Sequence, residues 1–220
     1  MAQIMRVALF GGTFDPPHRG HLAVARAAAR AQALDRIVFA PTARQPLKLD
    51  GPSASFADRL AMVALMCAAA QSTSEGVPPV ASDVDGPRSD GQPNYTIDTL
   101  RRLRNELQQA SGDKDSLELF VIVGADSFLD VRRWRESDAL LGEAQWIVVS
   151  RPGFPLGKLD ALALTTEQRA RVHLLEDVDE PVSATEVRRR LRDGLDCSAL
   201  LTPEVLDYID SHGLYRSARK

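Results

Sequence analysis

Apolar residues fall in short clusters between glycine, proline and longer polar stretches, and the period of each cluster predicts its element. Val7-Ala8-Leu9-Phe10 is an unbroken apolar run ending at Gly11-Gly12, the pattern of a strand covered on both faces. Ile37-Val38-Phe39-Ala40, closed by Pro41, and Leu117–Val123, closed by Gly124, read the same way. Gln145–Val149, broken by Arg151-Pro152-Gly153, and Arg171–Leu175 predict two more strands.

Between the strands the apolar period lengthens to that of a helix. Leu22, Ala25 or Arg26, and Ala29 share a face in 19–33. Leu60, Val63, Ala64 and Cys67 do so in 53–70, and Ile97, Leu100, Leu103, Arg104 and Leu107 in 95–109. Short helices are expected from Asp126 and over 136–141, and helix or irregular chain over 159–164. Two helices follow at 183–192 and 203–211, the last with Thr202 as cap and Pro203 at its first position. The stretch 72–94 is rich in Ser, Gly, Pro and Asp, so it is expected to be mainly surface loop with a short strand near Val80. Strands alternating with helices predict an α/β fold, a Rossmann-like doubly wound parallel sheet with right-handed crossovers. Residues 1–220 read as a single domain whose 182–220 part is a small C-terminal helical piece.

Bulk composition narrows the function without choosing it. The 44% hydrophobic and 26% charged content suits an ordinary globular core, and a net charge of -3 argues against a nucleic-acid partner. No apolar run is long enough to span a bilayer, so no membrane partner is expected. The first residues lead straight into a strand without the pattern of a cleavable leader, which makes the cytoplasm the expected compartment. Cys67 and Cys197 are far apart and match no zinc spacing; each reads as a small reduced hydrophobe. Whether the chain forms a homo-oligomer is left open.

Candidate chemistry concentrates in two helix starts. After the first strand, Gly11, Gly12, Thr13 and Phe14 form a loop that lets backbone N–H groups approach a ligand. It lacks the three spaced glycines of a dinucleotide fingerprint and the lysine of a P-loop. His18 and His21 follow three residues apart at the start of the next helix, where the orphan N–H groups and dipole favour an anion. They read as donors to phosphate; solvent-facing or capping histidines, or half of a zinc pair, are the alternatives. Near the other end, Ser183, Thr185, Glu186 and Arg188 combine a capping-box start with a fork of phosphate donors. A plain wet helix face is the alternative for this arginine cluster.

With both helix starts in view, the chain resembles the nucleotidylyltransferase superfamily, through 11–21 and 183–188. Within it the resemblance is to bacterial nicotinate-nucleotide adenylyltransferases, carried by 95–100, Gly124-Ala125-Asp126-Ser127, Trp134, 151–153 and 208–215. The resemblance implies transfer of the adenylyl group of ATP to nicotinate mononucleotide, with Mg2+, giving deamido-NAD and pyrophosphate. It assigns His18, His21 and Arg188 to catalysis. ATP would be held by Gly11, Gly12, Thr13, Phe14, His18, His21, Gly124, Asp126, Ser183, Thr185 and Arg188, with Asp126 near the ribose. Lys48, Tyr95, Thr96 and Trp134 would hold the mononucleotide: helix-start N–H groups on its carboxylate and Trp134 stacked on its ring. Tyr95 as a hydrophobic staple and Trp134 as a core residue are the alternatives. The chain departs from the family where Leu47 replaces the histidine of a Pro-Pro-His-Lys motif. A nicotinamide-preferring or dual-specificity enzyme, a pantetheine-phosphate adenylyltransferase, and a non-catalytic nucleotide-binding module are the competing readings.

Overall fold

The computed structural model describes residues 4–43, 51–72, 76–112, 116–150, 157–176, 178 and 182–216. At its centre β1 (Met5–Gly12) pairs in parallel with β2 (Arg36–Pro41) on one side and β4 (Leu117–Gly124) on the other. β3 (Pro79–Ala81) extends the sheet beyond β2, and β5 (Gln145–Val149) and β6 (Val172–Leu175) beyond β4. The order β3-β2-β1-β4-β5-β6 is that of a doubly wound Rossmann-like sheet, in which the chain leaves β1 first one way and then the other. The expected strand near Val80 is therefore β3, the edge.

Alternation along the strands divides the core between the two faces. Ala8, Phe10, Ile37, Phe39 and Ile122 face one side. There they meet α1 (Arg19–Gln32), α2 (Phe56–Ser72), α8 (Ala184–Arg192) and α9 (Pro203–Ser211). Val7, Leu9, Val38, Val121 and Trp146 face the other, against α3 (Thr96–Ser111) and α5 (Ser137–Glu143). Leu22, Ala25 and Ala29 of α1 are buried as their spacing predicts, and so are Ile97, Leu100, Leu103 and Leu107 of α3. Cys67 and Cys197 are buried free thiols, and burial pushes the Cys67 thiol up to about 12. Among the described residues no helix is long and apolar enough to cross a membrane.

One expectation changes and two are refined. The buried stripe of α2 runs through Arg59, Met62, Val63, Met66, Cys67 and Ala70, while Leu60 is half-buried and Ala64 exposed. The stripe is rotated because a charged residue, Arg59, sits on it. Over 157–170 the chain makes two short helices, α6 (Gly157–Asp160) and α7 (Thr166–Ala170). The second is started by a reciprocal cap between Thr165 and Gln168, a pattern visible in the sequence. Finally, the loop after β3 lies mainly at the surface as expected, but it buries Val84, Asp85 and Asn94. Lys48 and Leu47, and the strand-breaking 151–153, lie outside the described residues.

Candidate active site

Loops at the carboxyl ends of β1, β2 and β4 enclose two adjoining cavities at the point where the winding reverses, the usual ligand site of such sheets. The larger, about 1200 Å3, is lined by Thr13, Phe14, His18, His21, Ser183, Thr185 and Arg188 among others. The smaller, about 500 Å3, is lined by Gly11, Gly12, Asp85, Asn94, Thr96 and Trp134. Thr13, Thr42, Tyr95 and Gly124 border both. Residues near the two chain ends thus share one cleft, with α3 opposite them.

The two glycines of the first loop differ in their surroundings. A Cβ on Gly12 would stand 3.0 Å from the Phe14 ring, which packs back over it from a left-handed backbone (φ 48°). Gly11 meets nothing within 4 Å, so its bare backbone is open to the smaller cavity. Gly20 serves the histidines: its Cβ would lie 3.0 Å from His18 Nδ1. It makes room for the imidazole.

His18 caps α1 in extended conformation and is 6% exposed; its ring stacks on that of His21, centroids 3.7 Å apart. The His18 backbone N–H donates to His21 Nδ1 at 3.1 Å. An accepting Nδ1 carries no proton, so the neutral His21 ring keeps its hydrogen on Nε2. Burial, and secondarily the His18 imidazole beside it, holds the His21 pKa well below the usual histidine value. His21 is a neutral donor at physiological pH. Among the described residues no three His, Cys, Asp or Glu converge, which leaves this pair without the donor set of a zinc site.

At α8 the Ser183 hydroxyl accepts from the Glu186 N–H at 3.2 Å, half of the expected capping box. The Glu186 carboxylate turns instead to Arg189, at 2.7 and 2.9 Å, and that pair holds its carboxyl below the usual range. Arg188 Nη2 reaches Thr185 Oγ1 at 3.4 Å and Nη1 donates to the Asp15 carbonyl at 2.6 Å. The guanidinium is tied to the loop that carries the histidines.

Across the cleft, Tyr95 caps α3 with its backbone alone, its side chain making no cap bond to the first turn. The Arg135 guanidinium lies over the Tyr95 ring, 4.9 Å from its centroid. Trp134 borders the smaller cavity with its ring centroid 6.1 Å from that of buried Trp146. Asp126 is exposed in the first turn of α4 (Ala125–Phe128) and lines neither cavity, although Gly124 two residues before it lines both.

The structure adds residues that sequence reasoning missed. Arg59 is fully buried and donates to the carbonyls of Thr13 (2.7 Å) and Thr42 (2.9 Å), bracing the loops after β1 and β2. Its place on an otherwise apolar helical stripe was the available signal. Buried Asp85 accepts from Thr99 Oγ1 at 2.7 Å, and burial pushes its carboxyl up. Asn94 donates to the carbonyls of Asp85 and Gly86, fixing the loop as a wall of the smaller cavity.

Two helix starts, those of α1 and α8, thus converge on the switch point of a doubly wound sheet, and the chain's relatives place this arrangement among the nucleotidyltransferases. Residues 9–190 match the family model described as cytidylyltransferase-like. The chain is 36% identical over 213 residues to a protein of Moorella thermoacetica named "Probable nicotinate-nucleotide adenylyltransferase", covering 96% of this chain and 92% of that one. A protein of the same name from Gloeobacter violaceus is 38% identical over 212 residues, with 96% of each chain covered. The chain belongs to the nicotinate-nucleotide adenylyltransferase family and is an enzyme. The fold is shared with the Plasmodium falciparum nicotinic acid mononucleotide adenylyltransferase complexed with NaAD, at a TM-score of 0.68 and 18% identity over 96% of this chain and 97% of that one.

Proposed function

We propose that the two cavities hold the two substrates of one adenylyl transfer: ATP, with its triphosphate in the larger, and nicotinate mononucleotide, with its ring in the smaller. One observation carries this reading. His18, His21, Thr185 and Arg188 converge on one side of a border formed by Thr13, Thr42, Tyr95 and Gly124, with Thr96 and Trp134 on the other. A phosphate oxygen of the mononucleotide then attacks the α-phosphorus. A new P–O bond forms as the bond to the bridging oxygen of the β-phosphate breaks, and pyrophosphate leaves with that electron pair.

The attacking oxygen is already ionised at neutral pH, so no general base is needed. Catalysis is positioning plus stabilisation of charge on the α-phosphate and the leaving group. The neutral His21 Nε2–H serves as a hydrogen-bond donor whose interaction strengthens as that charge develops, and Arg188 with Thr185 holds the outer phosphates. Ser183 completes the wall of the ATP cavity, and Asp126, outside both cavities but two residues past Gly124 at their border, is assigned toward the ribose. Magnesium would enter as the ion of MgATP, where it would neutralise charge on the phosphates.

Selection of the acid follows from the start of α3. With no side-chain cap from Tyr95, its first-turn N–H groups and dipole suit the pyridine carboxylate, and Trp134 suits the ring. A carboxamide presents an NH2 to those donors, a mismatch worth about 1–3 kcal/mol. Pyrophosphate release measured with ATP and either mononucleotide tests the proposal. The acid is expected to turn over with kcat/KM at least about tenfold above the amide, the effect of ~1.4 kcal/mol. Equal turnover of the two contradicts the role of α3, and no turnover of either removes the reaction.

A further inference from the structure

Asp15 joins four separate stretches of chain beneath the larger cavity. Its carboxylate, 4% exposed, accepts from the backbone N–H groups of Ser53 (2.6 Å) and Ala54 (3.1 Å) ahead of α2. It also accepts, at Oδ1, from the Tyr215 hydroxyl at 2.6 Å, 200 residues along the chain. Its own carbonyl receives Arg188 Nη1 at 2.6 Å, while its Oδ2 lies 3.9 Å from that same nitrogen. Nothing in the sequence reading called on Asp15 or gave Tyr215 a role of its own.

A buried carboxylate this close to Arg188 is a rival of the triphosphate. Carboxylates and phosphates compete for the same guanidinium fork, and a carboxylate free to turn toward it would draw the fork into a bidentate pair. Here the carboxylate is held in place by Ser53 at Oδ2 and by Ala54 and Tyr215 at Oδ1, so Oδ2 stands 3.9 Å from Arg188 Nη1, close enough to pair by charge but too far to hydrogen-bond it. Arg188 is left bonded to the neutral carbonyl, with its other nitrogen toward Thr185 at the cavity wall.

We propose that Tyr215 is a positioning residue of the adenylyl transfer: by donating to Asp15 Oδ1 it keeps that carboxylate from capturing Arg188, and so leaves the guanidinium aligned for a triphosphate. The proposal rests on the reading of the larger cavity as the ATP site. It makes the segment after α9 part of the phosphate-binding machinery, acting entirely through Asp15 and Arg188.

The test is calorimetric titration of MgATP into the full chain without the second substrate. Wild type, Tyr215→Phe, Arg188→Ala and the double variant are compared, with thermal midpoints recorded for each. Tyr215→Phe is expected to weaken ATP binding about fivefold to tenfold, to leave KM for the mononucleotide unchanged, and to have no further effect in the Arg188→Ala background. Unchanged ATP affinity in Tyr215→Phe, or the same loss with Arg188 absent, overturns the proposal. Asp15→Asn provides a second route should Tyr215→Phe alone fail to fold. A neutral amide is no rival, so Asp15→Asn and Asp15→Asn/Tyr215→Phe should bind ATP equally, and a further loss in the pair overturns the proposal. The wild-type titration separates the two readings, because failure to bind ATP there removes the ATP site itself.

Discussion

His21 illustrates how a single backbone contact sets chemistry. Because its Nδ1 accepts the His18 N–H at 3.1 Å, the side chain offers the ligand one donor, Nε2–H, in a neutral ring. Asparagine at this position can keep an acceptor near Nδ1, while its shorter side chain places no donor at the position of Nε2. His21→Asn should therefore retain most of the thermal stability yet lower kcat for pyrophosphate release by about tenfold or more, since the donor acts on developing charge. Proportionate losses of stability and activity would point to a purely capping role. The pKa depression adds a pH signature. The unfolded chain titrates His21 near its ordinary value of about 6.5, whereas the folded chain resists protonation until lower pH. Its contribution to stability is fully present above about 6.5 and is lost as pH falls toward the folded value. Between pH 7 and 5.5 the midpoint of the wild type should fall more than that of His21→Asn. His173, also depressed by burial, contributes the same trend to both.

Elements determine which of these residues sequence can reveal. The histidine pair and the Ser183–Arg188 start are local patterns at helix N-termini, so spacing alone disclosed them. Arg59, Asp15 and Asp85 are functional through partners 46, 38 and 14 residues away, and no local period records such bonds. The same limit explains the rotation of α2: hydrophobicity assigned its face by Leu60 and Ala64, whereas the helix turns to place Arg59 under the Thr13 and Thr42 carbonyls. The strands β1, β2 and β4, by contrast, are legible nearly residue by residue, because burial on both faces leaves continuous apolar runs bounded by glycine or proline. Arg59→Met should cost about 3 kcal/mol in urea unfolding, as removal of a buried cation leaves the Thr13 and Thr42 carbonyls without their donor and takes one of the cations near Asp15 away. A cost under ~1 kcal/mol would mean that the loops after β1 and β2 hold themselves.

Over the whole molecule, the doubly wound order converts sequence distance into proximity. β1 and the helix after it deliver His18 and His21, and α8 and the segment after α9, packed on the same face, deliver Arg188 and Tyr215. A triphosphate bridging the two groups should stabilise the fold more than a monophosphate can. At a hundredfold excess over its Kd, ATP should add about 2.7 kcal/mol, whereas AMP at the same concentration should add clearly less in a thermal shift comparison. Equal shifts would place the binding energy in the adenosine part alone. The most direct measurement is a crystal structure of the protein with a non-hydrolysable ATP analogue. The account predicts one triphosphate with its oxygens within hydrogen-bond reach of the His18 and His21 rings and of the Arg188 guanidinium together. A triphosphate bound to only one of these groups, or outside the cleft they share, would contradict it.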